Sequence, residues 1–182
     1  MSPTIRTERL TLTPVTRDDL DALLALWRDP DVRRYHWGDQ EVPRKKAARI
    51  LDSAIAVSDQ GIGMWAVRVG DEDALAGYVA LRPTPAPGVE LVAAFNPGYR
   101  RRGYATEALR ALLGHAFGTM GFRWLTAIVG EPDEAGVRLV ERLGFRRTEM
   151  VMGRRHLLLG YLVEAPEAPV EAPTDASEEG GV

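Results

Sequence analysis

The chain contains no cysteine. Disulfide frameworks, thiolate metal sites and a thiol nucleophile are excluded together, and the composition fits a reducing compartment. Lysine is nearly missing as well: only Lys45 and Lys46 occur among the 23 basic side chains, so the positive charge is arginine. The three histidines, His36, His115 and His156, show no ligand spacing such as H-x-x-x-H, and no metal is expected. None of Ser2, Ser53, Ser58 and Ser177 sits in a G-x-S-x-G elbow, which removes an α/β-hydrolase. The chain lacks a G-x-x-x-x-G-K-[ST] loop and a G-x-G-x-x-G turn after a strand, so neither an NTPase nor a dinucleotide-binding dehydrogenase is supported. No apolar run reaches the length of a signal-peptide core or a membrane span, and a cytoplasmic protein without a membrane partner is expected.

What is present is ordinary globular material: 182 residues, 45% hydrophobic and 27% charged, enough for one sizeable domain. The net charge of -3 hides an asymmetry. Glu164 to Val182 carries six acidic residues and no basic ones, so the remaining chain stands at -3 + 6 = +3. That Pro-, Ala- and Glu-rich segment has almost nothing to bury and is expected to be a disordered tail behind a domain spanning 1–163. A mildly basic body is too weak a signal for nucleic acid.

The pattern predicts a strand in "TERLTLTPV", with Leu10 and Leu12 on one face, and a helix from Thr16 that Pro30 ends. A second helix, about Val42 to Ser58, precedes strands in "GMWAVRV" and "ALAGYVALR", joined by a tight turn at "GDED". A loop at "TPAPG" leads to the strand "VELVAAF". From Gly103 on, Leu109, Leu112, Leu113 and Ala116 recur at helical spacing, and His115 beside them reads as packing or surface. "RWLTAIV", "DEAGVRLVERLG", "FRRTEMVM" and "RRHLLLGYLV" complete the order βααβββαβαββ, an α/β mixed sheet with helices on both faces.

The run "NPGYRRRGYATEALRALLGHAF" places Arg100, Arg101, Arg102 and Gly103 between a strand and a helix. Helix N-termini expose unpaired N–H groups and partial positive charge, so this turn is suited to a di- or polyphosphate. Its R-x-x-G-x-A, Arg100 to Ala105, resembles the signature of the GCN5-related N-acetyltransferases (GNAT). The longer "PGYRRRGYATEAL", together with "TERLTLTPVTRDDLDALLALWRDPDVRRY" and "VRLVERLGFRRTE", is similar to the Rim-type branch that acetylates the N-termini of ribosomal proteins. These blocks cover most of Thr7 to Val163 in the same order. The resemblance implies the GNAT acyl-CoA fold, about seven strands flanked by about four helices.

It also implies acetyl-CoA as the acetyl donor and an amine acceptor, either a peptide N-terminus or a small molecule, with a homodimer as a further expectation. Backbone N–H groups from Arg101 through Gly103, Tyr104 and Ala105 to Thr106 would hold the pyrophosphate. The strand end from Ala93 to Phe95 would pair with the pantetheine arm and present an N–H to the thioester oxygen. Tyr35, His36 and Trp37 would wall the acceptor cleft, with Trp37 equally readable as core. Glu90, on the strand lining the site, is the candidate base, acting through water. Glu107 in the first turn of the helix reads as favourable placement in its dipole. Many Rim-type members carry Asn and Ser where this chain has Asp133 and Gly136. Asp133 keeps an acceptor for the coenzyme, whereas Gly136 cannot protonate a leaving thiolate. The departure leaves an alternative open, a catalytically impaired acyl-CoA-binding module that senses or scaffolds. A nucleic-acid binder is the weakest reading, because the aromatics do not interleave with the arginines.

Overall fold

The computed structural model describes residues 2–70, 74–85, 88–153 and 156–166. The turn at Asp71–Asp73, the middle of the Thr84–Gly88 loop and the acidic tail from Glu167 onward lie outside the described residues. The chain forms β1 (Ile5–Arg6), β2 (Leu10–Pro14), α1 (Leu20–Arg28), α2 (Pro30–His36), α3 (Arg44–Ala56), β3 (Gly63–Val69), β4 (Gly77–Pro83) and β5 (Val89–Phe95). It continues through α4 (Tyr104–Gly114), β6 (Trp124–Gly130), α5 (Glu134–Arg142), β7 (Arg146–Met152) and β8 (Leu157–Glu164).

Two elements go beyond the sequence expectation. β1 is a two-residue strand, too short to show a period. α2 begins at Pro30, which the pattern marks only as a stop. Proline lacks the N–H that would extend α1, yet its fixed φ suits a first helical position. Asp29 caps the new helix by accepting from the N–H groups of Asp31 (3.0 Å) and Val32 (3.3 Å). At the other end of the domain, β8 runs through Glu164, whose carboxylate meets Arg146 at 2.7 Å.

The eight strands form one sheet in the order β1-β2-β3-β4-β5-β6-β8-β7. Neighbours are antiparallel except β5 and β6, which run parallel and share a single register pair, Glu90 with Thr126. Alternation along each strand sends side chains to two cores. On one face α1, α2 and α3 bury Leu23, Trp27, Val32 and Leu51 against Met64, Ala66, Tyr78 and Ala94. On the other, α4 and α5 bury Leu109, Leu112 and Val140 against Trp65, Val67, Val79, Leu91 and Phe95. Full burial of each such leucine contributes roughly 1.5–3 kcal/mol, enough to hold both helical layers on the sheet. His115 follows α4 in a π-helical turn, edge-on to Trp65 at 5.8 Å and 3.1 Å from the Gly61 carbonyl, a packing role. Among the described residues, no helix is long and apolar enough to cross a membrane.

Candidate active site

β5 and β6 part after their one shared pair, so the second half of β5 has no strand on that side. Backbone polar groups alternate between the two edges of a strand. Asn96 donates its N–H across to Ala76 beside β4 (2.9 Å), so the backbone groups of Ala93 and Phe95 face the gap. Side chains alternate at right angles to this. Glu90, Val92 and Ala94 point toward the α1–α3 face, and Leu91 and Phe95 toward α4.

The turn from β5 into α4 forms a cradle. Pro97–Tyr99 make a 3-10 turn opened by Asn96, whose side chain accepts from the Gly98 N–H at 3.2 Å. Gly103 caps α4 at φ 80, a left-handed conformation that glycine adopts without Cβ strain, and Arg101 also stands at positive φ, 61. The first intrahelical bond runs from the Glu107 N–H to the Gly103 carbonyl (3.0 Å), which leaves the preceding N–H groups without helical acceptors. A cavity of about 530 Å³ opens here. Ala93, Phe95, Arg100, Arg101, Gly103, Tyr104, Ala105 and Thr106 all line it, and Arg138 and Arg142 face it from α5. Arg100 is fixed by donating Nε to the Phe95 carbonyl at 3.2 Å and by an ion pair with Asp31 at 3.3 Å. All three arginines are exposed, and Arg102 differs in not lining the cavity.

Arg9 braces this turn. It donates Nη1 to the Arg102 carbonyl at 3.0 Å and meets the Glu107 carboxylate at 2.5 Å, which also accepts from the Thr7 hydroxyl at 2.6 Å. Partial burial alone would raise the Glu107 pKa. Hydrogen bonds from Thr7 and Arg9, with the charge of Arg9, outweigh it and hold the carboxyl below its ordinary value. Glu107 is therefore more than an anion in the helix dipole: it ties α4 to the β1–β2 turn.

A second cavity, of about 350 Å³, runs through the gap, bordered by α2 on one side and by Leu109 of α4 and Leu139 and Val140 of α5 on the other. Tyr35, His36 and Trp37 line it from the end of α2, Tyr78 and Arg82 from β4, and Glu90 from β5. Glu90 and Arg82 are register partners, and Arg82 donates both Nη2 (2.5 Å) and Nε (3.2 Å) to one carboxylate oxygen, Oε2. Trp37 is both wall and packing: its ring stands edge-on to Trp27 at 5.7 Å, with the Lys46 Nζ 4.7 Å above it. Burial pushes the Tyr78 phenol up to about 12, so it remains protonated.

His36 borders both cavities, as do Tyr35, Ala93, Asp133, Gly136 and Leu139. His36 is an exposed residue of α2 whose side chain borders both cavities. Partial desolvation within the cavities lowers its pKa from the ordinary value, against the pull of Asp133 and of the Ala93 backbone.

The departure at Asp133 and Gly136 has a steric logic. Asp133 caps α5 by accepting from the Gly136 N–H at 3.0 Å. A Cβ on Gly136 would fall 2.5 Å from the Asp133 Oδ2 and 3.0 Å from the Val129 Cγ1. The cap and a side chain at 136 compete for one space.

Sequence reasoning missed Arg9, Tyr78, Arg82, Arg138 and Arg142. Arg9, Arg138 and Arg142 reach the site from segments distant in sequence, whereas the register linking Arg82 to Glu90 could have been anticipated from the hairpin of two consecutive strands. Among the described residues, no group of three or more histidine, aspartate or glutamate side chains could hold a metal ion.

The sheet opens beside an arginine-lined helix N-terminus, an arrangement suited to an anionic ligand. Comparison with known proteins supplies the class. The family model described as an acetyltransferase (GNAT) domain matches residues 9–146. The chain belongs to the GNAT family and is an N-acetyltransferase of that family. It is 24% identical over 154 residues to YoaA of Bacillus subtilis, an N-acetyltransferase whose role is uncharacterized, covering 81% of this chain and 85% of that one. Its fold is similar to a Salmonella typhimurium acetyltransferase that modifies the N-terminal serine of ribosomal protein L7/L12 (TM-score 0.73, 15% identity, 89% and 99% coverage). It is equally similar to the Vibrio cholerae spermidine N-acetyltransferase in complex with CoA and spermine (TM-score 0.73, 18% identity, 87% and 97% coverage).

Proposed function

We propose that the protein moves an acetyl group from acetyl-CoA directly to a primary amine, either a protein N-terminal α-amine or a small-molecule amine. The observation that carries this reading is the meeting of two cavities at the gap. One is lined by helix N–H groups and arginines, the other by aromatics and a carboxylate, and Ala93 borders both. The cradle is open rather than filled by the protein's own side chains, and its donors are those a pyrophosphate takes. The gap-facing backbone of Ala93 and Phe95 would receive the pantetheine arm as an added strand, with the Ala93 N–H near the thioester oxygen. A helix-end cradle for phosphates leaves the thioester where the cavities join. The amine then enters from the side walled by Tyr35, Trp37 and Tyr78. No serine or cysteine nucleophile lines either cavity, which supports direct attack without an acetyl-enzyme.

The test has two arms. Titration calorimetry with acetyl-CoA should give saturable binding. A thiol-release assay should give turnover with at least one member of a panel containing serine-initiated peptides, polyamines and amino acids. Binding without turnover on a broad panel would favour the impaired acyl-CoA-binding module, for which the absent hydroxyl at Gly136 speaks. Absence of binding would sink both.

A further inference from the structure

Acetyl transfer to an amine requires two proton movements. The attacking nitrogen must lose a proton, and the departing thiolate gains one. Gly136 supplies no group for the second. On Glu90, the candidate for the first, both Arg82 donors converge on Oε2, so that oxygen is already committed to an ion pair.

We propose that His36 performs both, as a proton shuttle at the junction of the two cavities. This rests on the acetyl-transfer reading. His36 is the last residue of α2 and lines the coenzyme cavity and the acceptor cavity alike. The ring borders the gap-facing backbone of Ala93, an interaction that favours its charged form. A neutral imidazole that donates from one nitrogen carries a lone pair on the other. Ala93, which borders both cavities beside the ring, would offer its N–H to the developing oxyanion.

The groups facing the ring are Asp133 at the start of α5, Arg100 in the cradle turn, Arg82 and Tyr78 on β4, and Glu90 on β5. The Tyr78 ring stands 6.4 Å from that of His36. Dehydration and the two arginines favour the neutral imidazole, and Asp133 favours the charged one; the net direction is toward neutral. The ring therefore begins the cycle as a base at neutral pH, since even an unperturbed histidine titrates near 6.5.

The steps balance. The amine nitrogen attacks the thioester carbon, and the carbonyl electrons move to oxygen. The N–H proton passes to His36, giving imidazolium. The C–S bond breaks, its electron pair leaving on sulfur as a thiolate. Imidazolium returns the proton to sulfur, downhill because an ordinary thiol has a pKa of about 8.5, and neutral His36 is restored beside amide and CoA.

The experiment compares wild type with His36→Gln and His36→Asn, using a serine-initiated peptide and spermidine as probe amines. Acetyl-CoA affinity should be unchanged by calorimetry, while kcat falls about 10²-fold or more. In wild type, kcat/KM should decline as pH drops through an imidazole pKa below about 6.5, and both variants should lose that acid limb. In parallel, the His36 ring resonances, assigned by their loss in His36→Gln, should shift on addition of CoA, a readout that needs no acceptor. Variants that keep wild-type kcat and the acid limb overturn the shuttle, as do ring resonances that ignore bound CoA. Failure of acetyl-CoA to bind wild type at all would instead remove the acetyl-transfer reading beneath it.

Discussion

The two halves of the gap are built from different material. Half of the coenzyme cavity's lining comes from one continuous stretch, Ala93 to Thr106, which offers backbone: strand groups facing the opening, a left-handed glycine and a free helix start. The acceptor half collects side chains from α2, β4, β5 and the start of α5, and its charges come as partners, with Arg82 on Glu90. Backbone donors are available in any chain that makes this turn. Side-chain constellations depend on which segments meet. A scaffold of this kind can keep one donor while changing acceptors, because the acceptor half can be rewritten without disturbing the turn.

Three substitutions probe that division, from the largest effect to the smallest. Gly103→Glu should remove most coenzyme affinity, about 10²-fold or roughly 2.7 kcal/mol, through like charge at the cradle and a positive φ that resists a side chain. Its Cβ would also stand 3.3 Å from the Arg9 Nη2. Calorimetry with acetyl-CoA reads it, and near-normal affinity would mean the pyrophosphate lies elsewhere. Arg82→Met should do the opposite. It leaves the buried Glu90 carboxylate without its donor and should lower unfolding free energy by about 1–3 kcal/mol in urea, with acetyl-CoA affinity unchanged. A matching loss of affinity would show the halves to be coupled. The smallest effect lies in Glu107. Its folded-state pKa is depressed, so its contribution to stability is present above the ordinary carboxylate value of about 4.3 and is lost as pH falls through the lower folded value. Melting temperatures of wild type and Glu107→Gln should therefore differ near neutrality and converge in acid. Parallel curves would mean that Glu107 acts through packing alone.

The strand "VELVAAF" was legible to the residue, because Val89–Phe95 is bounded by a glycine before it and an Asn-Pro turn after it. The helix that follows was legible because its apolar spacing is regular. α2 was not, since seven residues hold too few turns to show a period and its proline reads as a terminator. In the site, Arg100, Arg101 and Gly103 were readable as a unit, but three adjacent arginines look alike in one dimension. The fold sets Arg100 and Arg101 along the cavity, leaves Arg102 off it and brings Arg9 onto its carbonyl. His36 stood out only as a polar residue between two aromatics, and its place at the junction follows from α2 ending against β5.

The order of elements, the glycine-started helix and the family were written in local pattern, because turns, caps and periodicity depend on neighbours in sequence. The parting of β5 from β6, the pairing of Glu90 with Arg82, the competition between Asp133 and a side chain at 136, and the shared border of the two cavities were decided by tertiary structure. Each joins segments whose contact exists only once the sheet has formed, and no local rule specifies which side chains then face each other across an opening.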